Sequence, residues 1–257
     1  MQRFTDKVVI ITGAASGLGL ATAQRIAQEG GKLVLVDIVG TVLEQAAATL
    51  DCRDVTVFAA DVSQEKEVQA YVQETMAKHG RIDGFFNNAG VVGRQGEATD
   101  SYGSDEFRRV LSVNLDGVFY GMAEVLKVMK EQRSGSIVNT ASVGGFRGIG
   151  NQSAYAASKM GVIGLANNAV VEYGQYGVQI NVIAPGSIMT PMVERALRRL
   201  AGDDWQKAGD KFVENNPMRR SGTPEEVGAL VAFLLSGEAT YVNGVVIPVD
   251  GGQSSQF

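Results

Sequence analysis

Tyr155 and Lys159 stand four residues apart in the run Ser153-Ala-Tyr-Ala-Ala-Ser-Lys159, with only small side chains between them. On a helix that spacing puts both on one face, with Cβ atoms roughly 5–6 Å apart. A phenol beside an ammonium can exchange protons, because a free tyrosine has a pKa of about 10 and a nearby cation favours the phenolate. The same pair also occurs on ordinary solvated helix faces. The rest of the chain has to choose between the two.

A second stretch could hold a diphosphate. An apolar run leads into Thr12-Gly-Ala-Ala-Ser-Gly-Leu-Gly, with Gly13, Gly17 and Gly19 spaced for a sharp turn before a helix. Glycines let the backbone approach a phosphate closely, and the helix that follows offers its positive N-terminal end and free N–H groups. Asp37 closes the next apolar run about 20 residues on, where a carboxylate accepts hydrogen bonds from an adenosine ribose. A 2′-phosphate there would meet a like charge, and no basic residue stands at Ala14, Ala15 or Ile38 to offset it. The pattern therefore predicts NAD(H) in preference to NADP(H), although Asp37 also fits a helix cap or a solvated strand end.

These residues need a scaffold. Apolar runs over 7–12, 32–37, 55–61, 82–90, 136–142, 178–186 and 244–252 read as strands. Helical periodicity occupies 17–29, 41–50, 64–79, 104–131, 152–174 and 224–236. The alternation predicts an α/β class: a single doubly wound Rossmann fold whose seven-stranded parallel sheet is flanked by helices on both faces. Residues 1–257 read as one domain. The rhythm breaks at 187–222, where two short helices are expected and the single Trp205 lies. It follows a strand's carboxyl end, where such sheets bind ligands, so a substrate-binding insertion is expected there.

Composition narrows the function classes. Hydrophobic residues at 45% and charged residues at 20% suit a globular protein with a full core. The balance of 23 basic and 28 acidic residues contains no basic run, against a nucleic-acid surface. Cys52 and His79 are single, so no cysteine cluster or His-rich metal site forms, and none is expected. His79, just before a glycine, reads as a solvated helix C-terminus. With no signal-like N-terminus and no long apolar run, a cytoplasmic location without membrane contact is expected.

Taken in order, TGAASGLG, NNAG (87–90), NLDG (114–117), TASVGG (140–145), YAASK (155–159) and APGSIMT (184–190) resemble the short-chain dehydrogenase/reductase family across essentially the whole chain. Within it, GGFRGIGNQSAYAASK and VDGGQSSQF resemble the levodione-reductase-type cyclic ketone reductases. The resemblance implies Tyr155 as general acid/base, Lys159 as its electrostatic partner, Ser142 holding a carbonyl oxygen and Asn114 anchoring a proton relay. It implies Gly13, Ser16, Gly17, Leu18 and Gly19 at the diphosphate, with Asp37 at the ribose. Asp61 and Val62 would meet the adenine, with Asn88, Ala89 and Gly90 beside the cofactor's ribose. Pro185, Gly186, Ile188 and Thr190 would meet the nicotinamide end, beside Tyr155 and Lys159. A homotetramer is also implied.

Each assignment has a structural alternative. Ser142 fits a turn or N-cap serine, Asn114 a buried asparagine that satisfies backbone, and Asp61 a cap on the third helix. Asn181 reads as structural. Phe146, Ile149, Met189, Met192 and Trp205, with Ser142, are candidates for the substrate wall. An apolar wall with no arginine clamp would suit an uncharged small-molecule ketone or secondary alcohol, although the direction of Arg147 is open. The expected activity is NAD(H)-dependent interconversion of an alcohol and a ketone. The alternatives are an NADP-dependent 3-oxoacyl-thioester reductase, a sugar-nucleotide epimerase or dehydratase, and a non-catalytic dinucleotide-binding regulator. An epimerase would carry a longer C-terminal substrate region, and a regulator would lack the tyrosine–lysine pair.

Overall fold

The computed structural model describes residues 2–214 and 216–255, with only the backbone of residue 212. Position 215 of the irregular stretch, and the last two residues of the C-terminal motif, lie outside the described residues. The chain runs β1 (Val8–Thr12), α1 (Gly17–Gln28), β2 (Lys32–Asp37), α2 (Gly40–Ala48), β3 (Val55–Ala59), α3 (Glu65–His79) and β4 (Gly84–Asn87). It continues with α4 (Ser104–Leu111), α5 (Gly117–Gln132), β5 (Gly135–Thr140), α6 (Ser153–Tyr173), β6 (Val178–Pro185), α7 (Pro191–Ala201), α8 (Trp205–Val213), α9 (Pro224–Leu235) and β7 (Val246–Val249).

Among the described residues the strands form one parallel sheet in the order β3-β2-β1-β4-β5-β6-β7. The order reverses between β1 and β4, the crevice where doubly wound sheets bind ligands. Alternation within apolar strands explains the layers. Val8 and Ile10 of β1 pack on one face with Val68 and Tyr71 of α3, Met122 of α5 and Val162 of α6. Val9 and Ile11 pack on the other with Ile26 of α1, Leu43 of α2 and Val231 of α9. Both faces are covered, so the runs need no polar alternation.

Two local features set the positions of helices near the crevice. Thr223 and Glu226 form a reciprocal capping box ahead of Pro224, which starts α9 where its missing N–H costs nothing. Gly228 lets α9 approach α1 closely, since a Cβ there would meet the Ala21 carbonyl at 3.1 Å.

Several bounds differ from the sequence reading. The strands expected at 55–61, 82–90 and 244–252 are shorter, because their ends leave the sheet; 60–61 and 88–90 bend into the crevice. The helix expected over 104–131 is broken at Ser112–Asp116 by a π turn, closed by Gly117 N–H donating to the Ser112 carbonyl. The His79 side chain is 5% exposed rather than solvated. It packs at the end of α3 with Nδ1 3.9 Å from Asp54 Oδ2, and burial lowers its pKa. No helix among the described residues is long and apolar enough to cross a membrane.

Candidate active site

The glycine turn is built by backbone conformation. Gly13 and Gly17 have φ of 65° and 54°, which side-chain-bearing residues rarely adopt. A Cβ on Gly13 would also stand 2.9 Å from Asn88 Nδ2, and one on Gly19 would collide with the Gly13 carbonyl. Ser16 precedes α1 with extended backbone and no side-chain capping bond, so the first N–H groups of α1 face the crevice uncapped by a side chain.

Thr12 holds this turn against β4. Its Oγ1 accepts from the N–H groups of Asn88 at 2.9 Å and Ala89 at 3.0 Å. Asn88 Nδ2 donates back to the Thr12 carbonyl at 3.0 Å, and Thr140 Oγ1 donates to Asn88 Oδ1 at 3.2 Å. Three strand ends are thereby tied together. The sequence reading missed Thr12; its one signal is a buried hydroxyl closing an apolar strand.

Asp37 ends β2 with Oδ2 accepting from Ala15 N–H at 3.0 Å and Oδ1 from Ile38 N–H at 2.8 Å. It thus braces the glycine turn while still lining the crevice. Asp61 Oδ1 accepts from Ser63 N–H at 2.9 Å, a local turn ahead of α3 rather than a cap on the helix itself.

Across the crevice Lys159 is buried, and its Nζ donates to the Thr140 carbonyl at 2.8 Å. The ammonium lies 5.8 Å from the centre of the Tyr155 ring. Burial pulls the Lys159 pKa down to about 8. Burial also pushes the Tyr155 pKa up, and a hydrogen bond with Ser142 offsets this in part. The expectation that lysine depresses the phenol is therefore corrected for this state. Burial of the phenol outweighs the cation one turn away, whose Nζ is turned to the Thr140 carbonyl.

Ser142 follows β5 and accepts from Gly144 N–H at 3.1 Å, the turn-serine role. A hydroxyl that accepts still has its hydrogen to give. The side chain of Asn114, in the π turn, makes three hydrogen bonds: Oδ1 accepts from Val91 N–H at 2.8 Å, and Nδ2 donates to the Val91 carbonyl at 2.8 Å and to Ser158 Oγ at 3.1 Å. A Cβ on Gly90 would stand 3.1 Å from Asn114 Oδ1 and 3.4 Å from Lys159 Nζ, so these groups converge behind the crevice.

The crevice is a cavity of about 560 Å³. Every cofactor candidate except Gly19 lines it, as do Ser142, Tyr155 and Lys159, whereas Asn114 stands behind it. Gly19 packs closely against the Gly13 carbonyl. Of the apolar substrate candidates only Met192 reaches the wall. Phe146 is 39% exposed, Ile149 packs on Gly144, Met189 is pinned by its N–H to the Gly222 carbonyl, and Trp205 stacks under Arg198 at 4.5 Å. Arg147 points away, donating to the Gln253 carbonyl at 3.2 Å. Asn181 joins β6 to the segment before β7 through the Val242 carbonyl at 2.8 Å and Val245 N–H at 3.3 Å, a structural role. Arg109 and Arg195 do line the cavity, which corrects the expected absence of arginine. They come from α4 and α7, too far apart in sequence to be linked by spacing.

A family model described as Enoyl-(Acyl carrier protein) reductase matches residues 13–254. Levodione reductase of Leifsonia aquatica is 55% identical over 259 aligned residues, 99% of this chain and 97% of that one. The chain belongs to the short-chain dehydrogenase/reductase family. A crystal structure of levodione reductase superposes with a TM-score of 0.96 at 54% identity, covering 99% of this chain and 100% of that one. Cyclohexanol dehydrogenase of Acinetobacter sp. (strain SE19) is 36% identical over 99% of this chain and 98% of its own. An NAD+-bound xylitol dehydrogenase structure matches at a TM-score of 0.91 and 34% identity, covering 97% and 99%. As a short-chain dehydrogenase/reductase, the chain is an oxidoreductase of a nicotinamide-dinucleotide-using family. The glycine cradle, the start of α1 left uncapped by any side chain and the acidic end of β2 fit such a cofactor chemically.

Proposed function

We propose that the chain is an NAD(H)-dependent oxidoreductase that interconverts an uncharged, cyclic or aliphatic secondary alcohol and its ketone, with Tyr155 as general acid/base. The convergence of Ser142, Tyr155 and Lys159 on one end of a cavity whose other end carries Asp37 supports it most directly. The names of levodione reductase and cyclohexanol dehydrogenase support the substrate class, and that of the NAD+-bound xylitol dehydrogenase supports the cofactor.

Bound NADH would supply the hydride that reduces a carbonyl carbon. The chain's own residues handle the oxygen. Ser142 has a hydroxyl hydrogen to donate to the carbonyl oxygen, and such donors, aimed at developing charge, contribute about 3–4 kcal/mol. Tyr155 delivers the proton from its phenol, which burial keeps protonated. Lys159, held by Thr140, provides positive charge against the phenolate left behind. Asn114 keeps the Val91 backbone and Ser158 in place beside Lys159, and the second lone pair of its Oδ1 remains able to anchor a proton relay.

Replacing Tyr155 with Phe removes the transferable proton while keeping the ring. Turnover of a cyclic ketone should fall about 100-fold or more, with the NADH dissociation constant nearly unchanged. Near-normal turnover in Tyr155→Phe would remove the acid/base assignment. An NADP-dependent 3-oxoacyl-thioester reductase is the second reading, favoured by Arg109 and Arg195 at the cavity. Comparing NADH and NADPH turnover separates the two. The family resemblance supports a homotetramer, and cytoplasmic residence is part of the same proposal.

A further inference from the structure

A second cavity, of about 340 Å³, adjoins the first and shares Gly90, Val91, Arg109, Met192 and Arg195 with it. Its walls are the segment after β4, the middle of α4 and one face of α7. Four guanidinium side chains line it, those of Arg94, Arg109, Arg195 and Arg199, against one carboxylate, Glu106. That carboxylate is already engaged. It takes Arg109 Nε at 2.7 Å and a second Arg109 nitrogen at 2.8 Å, and it accepts Arg94 N–H at 3.0 Å. The Arg94 guanidinium reaches Glu97 at 3.7 Å.

Arg195 and Arg199 have no such partner. Among the described residues, no carboxylate lies within 4 Å of either, and the acid on their own helix, Glu194, is taken by Arg198 at 2.8 Å. They stand four apart on α7, so like charges share one helix face, an arrangement that disfavours the helix by itself. The chain's net charge is −5, so this local surplus is not a consequence of composition. A guanidinium presents planar, paired donors that match a carboxylate or phosphate. Both arginines are exposed, so binding is weak and sensitive to salt.

We propose that this cavity is an oxyanion subsite, holding one carboxylate or phosphate group beside the cavity that contains Tyr155. The proposal goes beyond the reading of the activity and does not depend on it. The anion has two sources, a free ion or an acidic tail on the substrate, the latter replacing the uncharged substrate class proposed above, and both use the same chemistry.

The test uses the full chain saturated with NADH, so that the glycine turn is already filled. Melting temperature is measured in sodium phosphate and in sodium chloride at equal ionic strength, for the wild type and for the Arg195→Gln/Arg199→Gln double variant. Phosphate should raise the wild-type value above that in chloride, and the excess should vanish in the variant. No excess, or an excess undiminished in the variant, overturns the subsite. A second arm compares turnover of cyclohexanone with that of 3-oxocyclohexanecarboxylate. A preference for the acid that drops about fivefold in Arg199→Gln, equivalent to ~1 kcal/mol, assigns the source to the substrate. A phosphate excess without that preference assigns it to a free ion. Absence of turnover with both ketones would count against the proposed activity, while the melting measurements still decide the subsite.

Discussion

Lys159 is a buried cation whose Nζ donates to the Thr140 carbonyl and whose pKa burial lowers to about 8. Its ammonium form is therefore lost as pH rises through about 8, well below the ordinary lysine range. The kcat/KM for ketone reduction should fall over that interval in the wild type. Lys159→Arg, which holds its charge to far higher pH, should move the fall upward. An alkaline limb that stays in place in the variant would assign it to another group. Asp37 permits a separate test. With both oxygens held by backbone N–H groups, its charge is fixed at the end of β2. Asp37→Ala should raise the NADPH-to-NADH ratio of kcat/KM about tenfold, equivalent to ~1.4 kcal/mol; an unchanged ratio would mean that another group reads the ribose. The placement of both residues at the crevice was legible in residue type and spacing. The rise in the Tyr155 pKa was not, because burial is a property of the neighbours.

The glycine turn depends on a hydroxyl outside its own motif. Thr12→Val keeps the shape of the side chain but leaves the N–H groups of Asn88 and Ala89 without their acceptor. Each orphaned donor costs about 1–3 kcal/mol. The variant should melt several degrees lower and bind NADH more weakly, which calorimetry measures; an unchanged melting temperature would show that the tie carries little energy. The elements themselves were readable from apolar runs and periodicity. The break between α4 and α5 was not. A π turn keeps the helical pattern on both sides and adds one residue, so periodicity alone reads through it. The only hint was Asn114, a poor helix former inside a helical stretch.

At the scale of the molecule, α5 and α6 turn large apolar side chains outward: Phe119 is 51% exposed, Met160 53% and Val171 82%. Patches of this kind mark association surfaces. The proposed homotetramer leads to a direct expectation. Light scattering should give a tetrameric mass for the wild type and a smaller one for Phe119→Asp/Met160→Asp, because buried unpaired carboxylates oppose packing. A monomeric wild type would end the proposal. The exposure of these side chains is decided by the fold, whose two core clusters are built without them.

The order of strands and helices, the glycine turn, the acidic end of β2 and the tyrosine–lysine pair were all determined by the sequence itself. Each rests on near-neighbour spacing, which the chain carries wherever it folds. Tertiary structure decided the rest. It placed Arg109 and Arg195 on the cavity, turned Arg147 to the C-terminal segment, left Met192 alone among the apolar substrate candidates on the wall, and committed the Asn114 amide to Val91. Those outcomes depend on which remote surfaces meet, and a side chain's charge, burial and partners exist only after they have met.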